Sequence, residues 1–237
     1  MKKLLIITLL LSASLTTFSQ STYTKSSAFI GLGPSIPIGD FGSKSATDEK
    51  AGLAAVGFQL DLGYQYRFSK YVGAIAMLKG RINGLAKETL NYSLPTGSGG
   101  SLSVDATTWK TGAVLAGLTQ YIPLTKSELF TLEFREAAGV QITASPEVDV
   151  QYNIAGSQTP NSRQPSESAT SFAYVLGLGF QYQLNSHLGL KIYGDFNNSN
   201  VRFEDVTINI GDSTPLVAPN KQKTGTIDLG VGLTIGL

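Results

Sequence analysis

The chain has 237 residues, a formal net charge of +1 and no cysteine. These values exclude the basic field a nucleic-acid partner needs, a disulfide framework and a thiolate metal site. Charged residues make up only 15%, against about a quarter in ordinary soluble domains, while there are 26 glycines and ten tyrosines. Low charge with abundant glycine and aromatics suits a barrel wall better than a helical enzyme.

Lys2 and Lys3 precede a short apolar run, Leu4 to Leu11. Thr17 and Ser19 then place small residues ahead of a cleavage before Gln20. The run is well short of the ~20 residues a spanning helix needs. Residues 1–19 are therefore expected to be a signal peptide, and 20–237 the mature domain. No other segment approaches a spanning helix, so any membrane crossing must use strands.

Ala28 to Ile38 is the first predicted strand. Ala28, Ile30 and Leu32 share one face and Phe29, Gly31 and Gly33 the other, with Pro34 and Pro37 weakening the ladder. Gly39, Asp40, Gly42 and the polar run Ser43 to Lys50 form a loop. In Leu53 to Phe68, an apolar row from Phe58 to Phe68 alternates with Gly57, Gln59, Asp61, Gly63, Gln65 and Arg67. Only Ser69 and Lys70 separate it from Tyr71 to Ile82, which predicts a tight hairpin. The long segment Asn83 to Asp105 has its tip at Ser98 to Ser101. Thr108 to Leu124, a short turn at Thr125 to Ser127, and Leu129 to Ser145 form the next hairpin. After the long segment Pro146 to Ala169, Phe172 to Leu184 repeats the clean alternation, turns at Asn185 and Ser186, and returns as His187 to Phe196. Asn197 to Gln222 is the last long segment. Thr224 to Leu237 closes the chain, with Ile227, Leu229, Val231, Leu233, Ile235 and Leu237 alternating with small or polar residues.

The connections thus alternate between long and short, and about eight strands result, as in an up-and-down antiparallel transmembrane β-barrel. Short turns then lie in the periplasm with both termini, and long hairpins lie outside the cell. A soluble secreted β-sandwich is the fold alternative, but Greek-key connections would not sort loop lengths this way. Tyr66, Phe68, Tyr71, Tyr121 and Tyr182 lie close to the short turns, and Trp109, Phe172, Tyr174 and Phe196 toward the long loops. That placement predicts two interfacial aromatic bands. Val148, Val150, Tyr152 and Ile154 alternate with polar residues. So do Val201, Phe203, Val206, Ile208 and Ile210, with one slip, which predicts strands continuing past the membrane as twisted hairpins.

Several passages resemble the outer-membrane β-barrel proteins of Bacteroidetes, small barrels of OmpA and OmpX shape. They are the signal ending Thr17-Phe18-Ser19, the stretch Gly33 to Phe41, the strand end Leu62 to Phe68 and the glycine-alternating last strand. The resemblance covers essentially the whole mature chain. It implies the fold, an outer-membrane location and handling by the barrel-assembly machinery, and it implies no particular activity. The chain departs from the pattern at Leu237, where such barrels often end in an aromatic residue.

Alternation places Asp61, Arg67, Lys79, Arg81, Glu133, Arg135, Lys191, Asp195 and Asp228 inside the barrel, with Asp61, Lys79, Glu133, Lys191 and Asp228 at comparable heights. An eight-stranded barrel has room for side chains but not for a wide channel. Charges out of water must pair, so these residues are expected to form a structural lumen network that plugs the barrel. A gated ion path is the alternative. Strict alternation sends Glu136 outward, where a charge facing lipid near mid-membrane is expensive; either a bulge near Arg135 turns it inward or the strand passes above the membrane by that point. His187 is the only histidine and lies beside a short turn. No catalytic, cofactor-binding or metal-ligating set emerges, so no enzymatic activity and no cofactor is expected. The expected role is structural or adhesive, with lipid around the barrel and an extracellular protein partner at the loops. A narrow, porin-like transport barrel and an accessory to secretion or envelope assembly are the alternatives.

Overall fold

The computed structural model describes residues 24–45, 48, 50–88, 100–154, 162–185, 187–210 and 215–237. The expected signal peptide, Ser98, Gly99 and Ser186 lie outside them. Twelve strands are present among the described residues. They are β1 (Ser26–Ile38), β2 (Ala54–Arg67), β3 (Val72–Leu85), β4 (Gly100–Ala106), β5 (Trp109–Pro123) and β6 (Phe130–Ala144), followed by β7 (Val148–Ile154), β8 (Ser162–Gln164), β9 (Ser168–Gln183), β10 (Leu188–Ile210), β11 (Leu216–Lys223) and β12 (Gly225–Gly236).

Eight of them are staves of a closed antiparallel barrel, in the order β12-β1-β2-β3-β5-β6-β9-β10, and β10 pairs back onto β12. The closing strand meets the first from Ser27↔Gly236 to Ile38↔Gly225. A row of paired residues runs once around the wall through Ser27, Gln65, Ile75, Gly117, Ala137, Val175, Asn197 and Thr226. It returns to β1 at Pro37, ten residues beyond its start. That stagger tilts the staves by about 40° and leaves an interior only wide enough for side chains.

Period two decides which side chains fill that interior. On β12, Ile227, Leu229, Val231, Leu233 and Ile235 are exposed while Thr226, Asp228 and Thr234 are buried. The same division runs around the barrel, so the outer wall is a belt of Leu, Ile, Val and aromatic residues. At one end of the belt Tyr66, Phe68 and Tyr182 face out, with Phe130 stacked on Tyr182 at 4.9 Å; at the other, Phe58, Phe172 and Tyr174 do. A water-facing barrel would leave this belt uncovered, whereas lipid covers it. No described helix is long and apolar enough to cross a membrane, and the crossing is by strands.

Two aromatic assignments are corrected. Tyr121 and Trp109 lie near the ends of β5, but both occupy its inward row with Ala113 and Leu115, and they are 1% and 7% exposed. Position along a strand does not override parity.

The short turns are built locally. Phe68 N donates to Val72 O at 2.9 Å, and Ser69 Oγ accepts from Tyr71 N and Val72 N at 3.2 Å. Between β9 and β10, Asn185 Oδ1 accepts from His187 N and Leu188 N. Lys70 and Glu128 join two neighbouring turns at 3.1 Å, and that bond holds the Lys70 ammonium above its ordinary range.

At the opposite end the long segments continue the sheet into a crown ordered β11-β10-β8-β7-β4. β10 runs on from the barrel into it, and the slip in its alternation is a register shift between Phe203 and Val206. The long segments are not independent hairpins. β4, which precedes β5, pairs along its length with β7, which follows β6. β4 and β11 are the strands at the two ends of this order. Lys87 Nζ donates to Asp105 Oδ1 at 3.0 Å on the crown surface and holds that carboxyl below the ordinary carboxylate range.

Candidate functional site: the filled lumen

Inward parity on all eight staves fills the barrel with polar and charged side chains. Asp61, Glu133, Asp195 and Asp228 are fully buried, and Lys79, Arg81, Arg135 and Lys191 are nearly so. Four acids and four bases therefore share the interior, where burial favours their pairing.

The charges fall into tiers rather than one level. Nearest the short turns, Glu133 Oε1 accepts from Lys191 Nζ at 2.6 Å and from Gln65 Nε2 at 3.0 Å. Next, Arg135 Nε donates to Asp195 Oδ1 at 2.8 Å, and its guanidinium lies 4.4 Å from the ring centroid of Tyr193. Above it Lys79 Nζ donates to Asp61 Oδ2 at 2.9 Å and to Asp195 Oδ2 at 2.7 Å, and lies 3.6 Å from Asp228 Oδ2. Asp195 thus links the two cations. Asn197 Nδ2 donates to Asp228 Oδ2 at 2.9 Å. Nearest the loops, Arg81 reaches neutral partners: Nη1 donates to Thr226 Oγ1 at 2.8 Å and Nη2 to Gln141 Oε1 at 2.6 Å.

Arg67 stands apart from these pairs. Its guanidinium stacks on the Tyr121 ring at 3.8 Å, at the short-turn mouth. It lines a polar recess of about 100 Å³ there with Ser27, Thr131, Gln181 and Thr234.

At the loop end the interior packs apolar side chains. Phe41, Ala54, Trp109, Val201, Phe203 and Val206 form one buried cluster. Phe41 meets Trp109 edge-on at 5.4 Å, and Trp109 Nε1 donates to Gly52 O at 3.0 Å. A second apolar cluster, including Phe29, Ile75, Met77, Leu115 and Val175, fills the lumen beside the charges.

Charge alone does not reveal several participants. Tyr193 crosses the lumen and donates to Gln59 Oε1 at 2.9 Å, while the Gln59 amide nitrogen donates to Asp61. Tyr193, Gln59, Gln65, Gln141 and Asn197 share the inward parity of the charged residues; that parity was the signal that could have found them. Phe41 precedes β2 in a loop and carries no periodic signal.

Glycine makes room for the tyrosine. A Cβ on Gly230 would lie 2.2 Å from Tyr193 Cζ, and one on Gly31 2.4 Å from its Oη. Gly230→Ala is expected to cost about 1–3 kcal/mol through overpacking. Gly112→Ala, where a Cβ meets nothing within 4 Å, is expected to be neutral or mildly stabilising. Urea unfolding of both variants in lipid vesicles checks the contrast.

Fold and interior define a membrane β-barrel with a filled lumen. No protein-family model matches the chain, and no curated protein matches it. Solved structures are similar in outline. One is the outer membrane protein OprG from Pseudomonas aeruginosa, at 16% identity over 91% of this chain and 98% of that one, with a TM-score of 0.45. Another is Ail, the attachment invasion locus protein of Yersinia pestis, at 17% over 90% and 99%, with a TM-score of 0.43. The outer membrane protease OmpT from Escherichia coli is a third, at 9% over 94% and 100%, with a TM-score of 0.34.

Proposed function

We propose that the protein is an outer-membrane barrel that does not conduct and that acts through its crown, in a structural or adhesive role. The observation that carries the reading is closure at two levels. Buried charges bridge staves across the lumen, as Lys79 does between β3 and β10. The Trp109 cluster then seals the loop-end mouth. In this reading residues 1–19 are a cleaved signal, the short-turn end with both termini is periplasmic, and the barrel-assembly machinery inserts the chain. Leu216 and Val217 lie exposed on the unpaired β11 edge. Such an edge can accept a strand from an extracellular protein. The role is non-catalytic: His187 sits at the short-turn end, its carbonyl accepting from Gly236 N at 2.7 Å, at the opposite end of the barrel from the crown.

Planar-bilayer recording on refolded protein tests the plug. The expected trace is flat at potentials where porins open. Stable, reproducible conductance steps would sink the reading in favour of a narrow pore.

A further inference from the structure

The short-turn mouth holds a polar recess that the plug does not use. Its volume is about 100 Å³, and its walls include Ser27, Arg67, Glu128, Thr131, Gln181 and Thr234. That is room for roughly three waters, or for the end of one small residue.

Arg67 is positioned there without a counter-ion. Its guanidinium lies 3.8 Å from the centroid of the Tyr121 ring, which is itself buried. The acids at this end are engaged elsewhere, Glu128 with Lys70 at 3.1 Å and Glu133 with Lys191 at 2.6 Å. Two buried polar atoms of the recess lack partners as well. Gln181 is 6% exposed and Thr234 5%, and neither Gln181 Oε1 nor Thr234 Oγ1 has a hydrogen bond. A relay orients the Gln181 amide. Gln183 Nε2 donates to Asn185 O at 2.6 Å, which leaves Gln183 Oε1 to accept from Gln181 Nε2 at 3.1 Å. The Gln181 oxygen is thereby turned away from its neighbour, and a buried acceptor without a donor is costly.

These groups together select a ligand. Arg67 offers forked N–H donors to an anion, and Thr234 adds an O–H. Gln181 Oε1 asks for an N–H beside that anion. A peptide C-terminus carries both, a carboxylate and the amide N–H of the same residue. Inorganic phosphate or sulfate lacks the N–H. A free amino acid would bring a second positive charge close to Arg67.

We propose that this recess binds the C-terminal carboxylate of a peptide, held by Arg67, Thr234 and Gln181. In the orientation proposed above, the mouth opens to the periplasm, and the partner is a periplasmic peptide or protein tail. The compartment rests on that orientation; the binding does not.

The probe is N-acetyl-dialanine with a free C-terminus, added to isotope-labelled refolded barrel in lipid nanodiscs, which leave both mouths open. Saturable amide shifts are expected at Thr131, Gln181 and Thr234, with Trp109 at the far end unmoved. The C-terminal amide of the same peptide, and free alanine, are expected to bind at least about tenfold more weakly, the worth of one charge-assisted hydrogen bond. Arg67→Gln is expected to lose a similar factor. Gln181→Leu is expected to hold the peptide no better than propionate, which has the carboxylate alone. Heat-modifiable gel mobility verifies that each variant is a folded barrel. A folded wild-type barrel that leaves the peptide unbound overturns the proposal and assigns the recess to water. Equal binding of acid and amide, unchanged binding by folded Arg67→Gln, or a Gln181→Leu barrel that still prefers peptide to propionate overturns it too. Alanine bound as tightly as the peptide overturns it in favour of a free amino acid. Conductance plays no part in the assay, so this site and the plug fail separately.

Discussion

Lys79→Met is expected to lower the stability of the barrel by about 3–5 kcal/mol. The substitution keeps the length of the side chain and removes the one cation bonded to both Asp61 and Asp195 and lying 3.6 Å from Asp228. All three carboxylates are fully buried. Arg135 still reaches Asp195, but Asp61 and Asp228 lose their nearest cation, and like charges left buried together repel. Urea unfolding in lipid vesicles measures the loss. Adding Asp61→Asn and Asp195→Asn is expected to recover part of it, because neutral amides remove the repulsion. Lys87→Ala breaks an exposed pair with Asp105 and is expected to fall within about 0.5 kcal/mol of wild type. A loss below about 1 kcal/mol for Lys79→Met would mean that water reaches the network, and the plug reading would lose its support.

Trp109→Ala is expected to cost about 3–5 kcal/mol, the range for emptying a large aromatic site. Its effect should be local. Trp109 packs on Phe41 from the loop after β1 and on Phe203 from the extension of β10, with ring centroids 5.4 Å and 6.2 Å away. It also donates to Gly52 O, which ties down the chain just before β2. Without the indole, the loop-end mouth loses its central contact while the ladder of the staves is untouched. Limited proteolysis of vesicle-bound protein should show new cuts between β1 and β2 and in the crown, with the staves protected. An unchanged digestion pattern would show that the ring is not what holds this end closed. Recording from the same variant tells whether the apolar seal or the ion-pair tiers below it block the lumen: a flat trace assigns the block to the tiers.

Much of this architecture is legible along the chain, and the places where it is not have a common cause. Alternation on β2, β9 and β12 is unambiguous because one row is bulky and apolar while the other is small or polar. On β5, Ala113 to Leu118 is apolar on both faces, since the lumen there holds the cluster of Ile75, Met77 and Leu115. Trp109 and Tyr121 consequently read as interfacial from their position near strand ends, although their parity is inward. Glu136 shows the reverse. Its outward direction follows from strict alternation, which leaves a bulge near Arg135 or a strand already above the membrane as the two ways to keep the charge from lipid. The unbroken register removes the bulge and leaves the carboxyl facing out.

What the chain determined by itself was local in two residues: the staves, the hairpin turns, the facing rows wherever one row is bulky and the other small or polar, and the slip in the extension of β10. The reason is that a strand repeats every second residue, so facing is written into neighbouring positions. What only the tertiary structure decided was who meets whom. Lys79 and Asp195 are 116 positions apart, and their contact depends on the ten-residue stagger that accumulates around eight staves. A two-residue slip in the pairing of any two staves would change that stagger and bring different inward side chains across the lumen. The pairing of β4 with β7 is of the same kind. Two long segments that read as separate hairpins close on each other because the barrel holds their roots side by side.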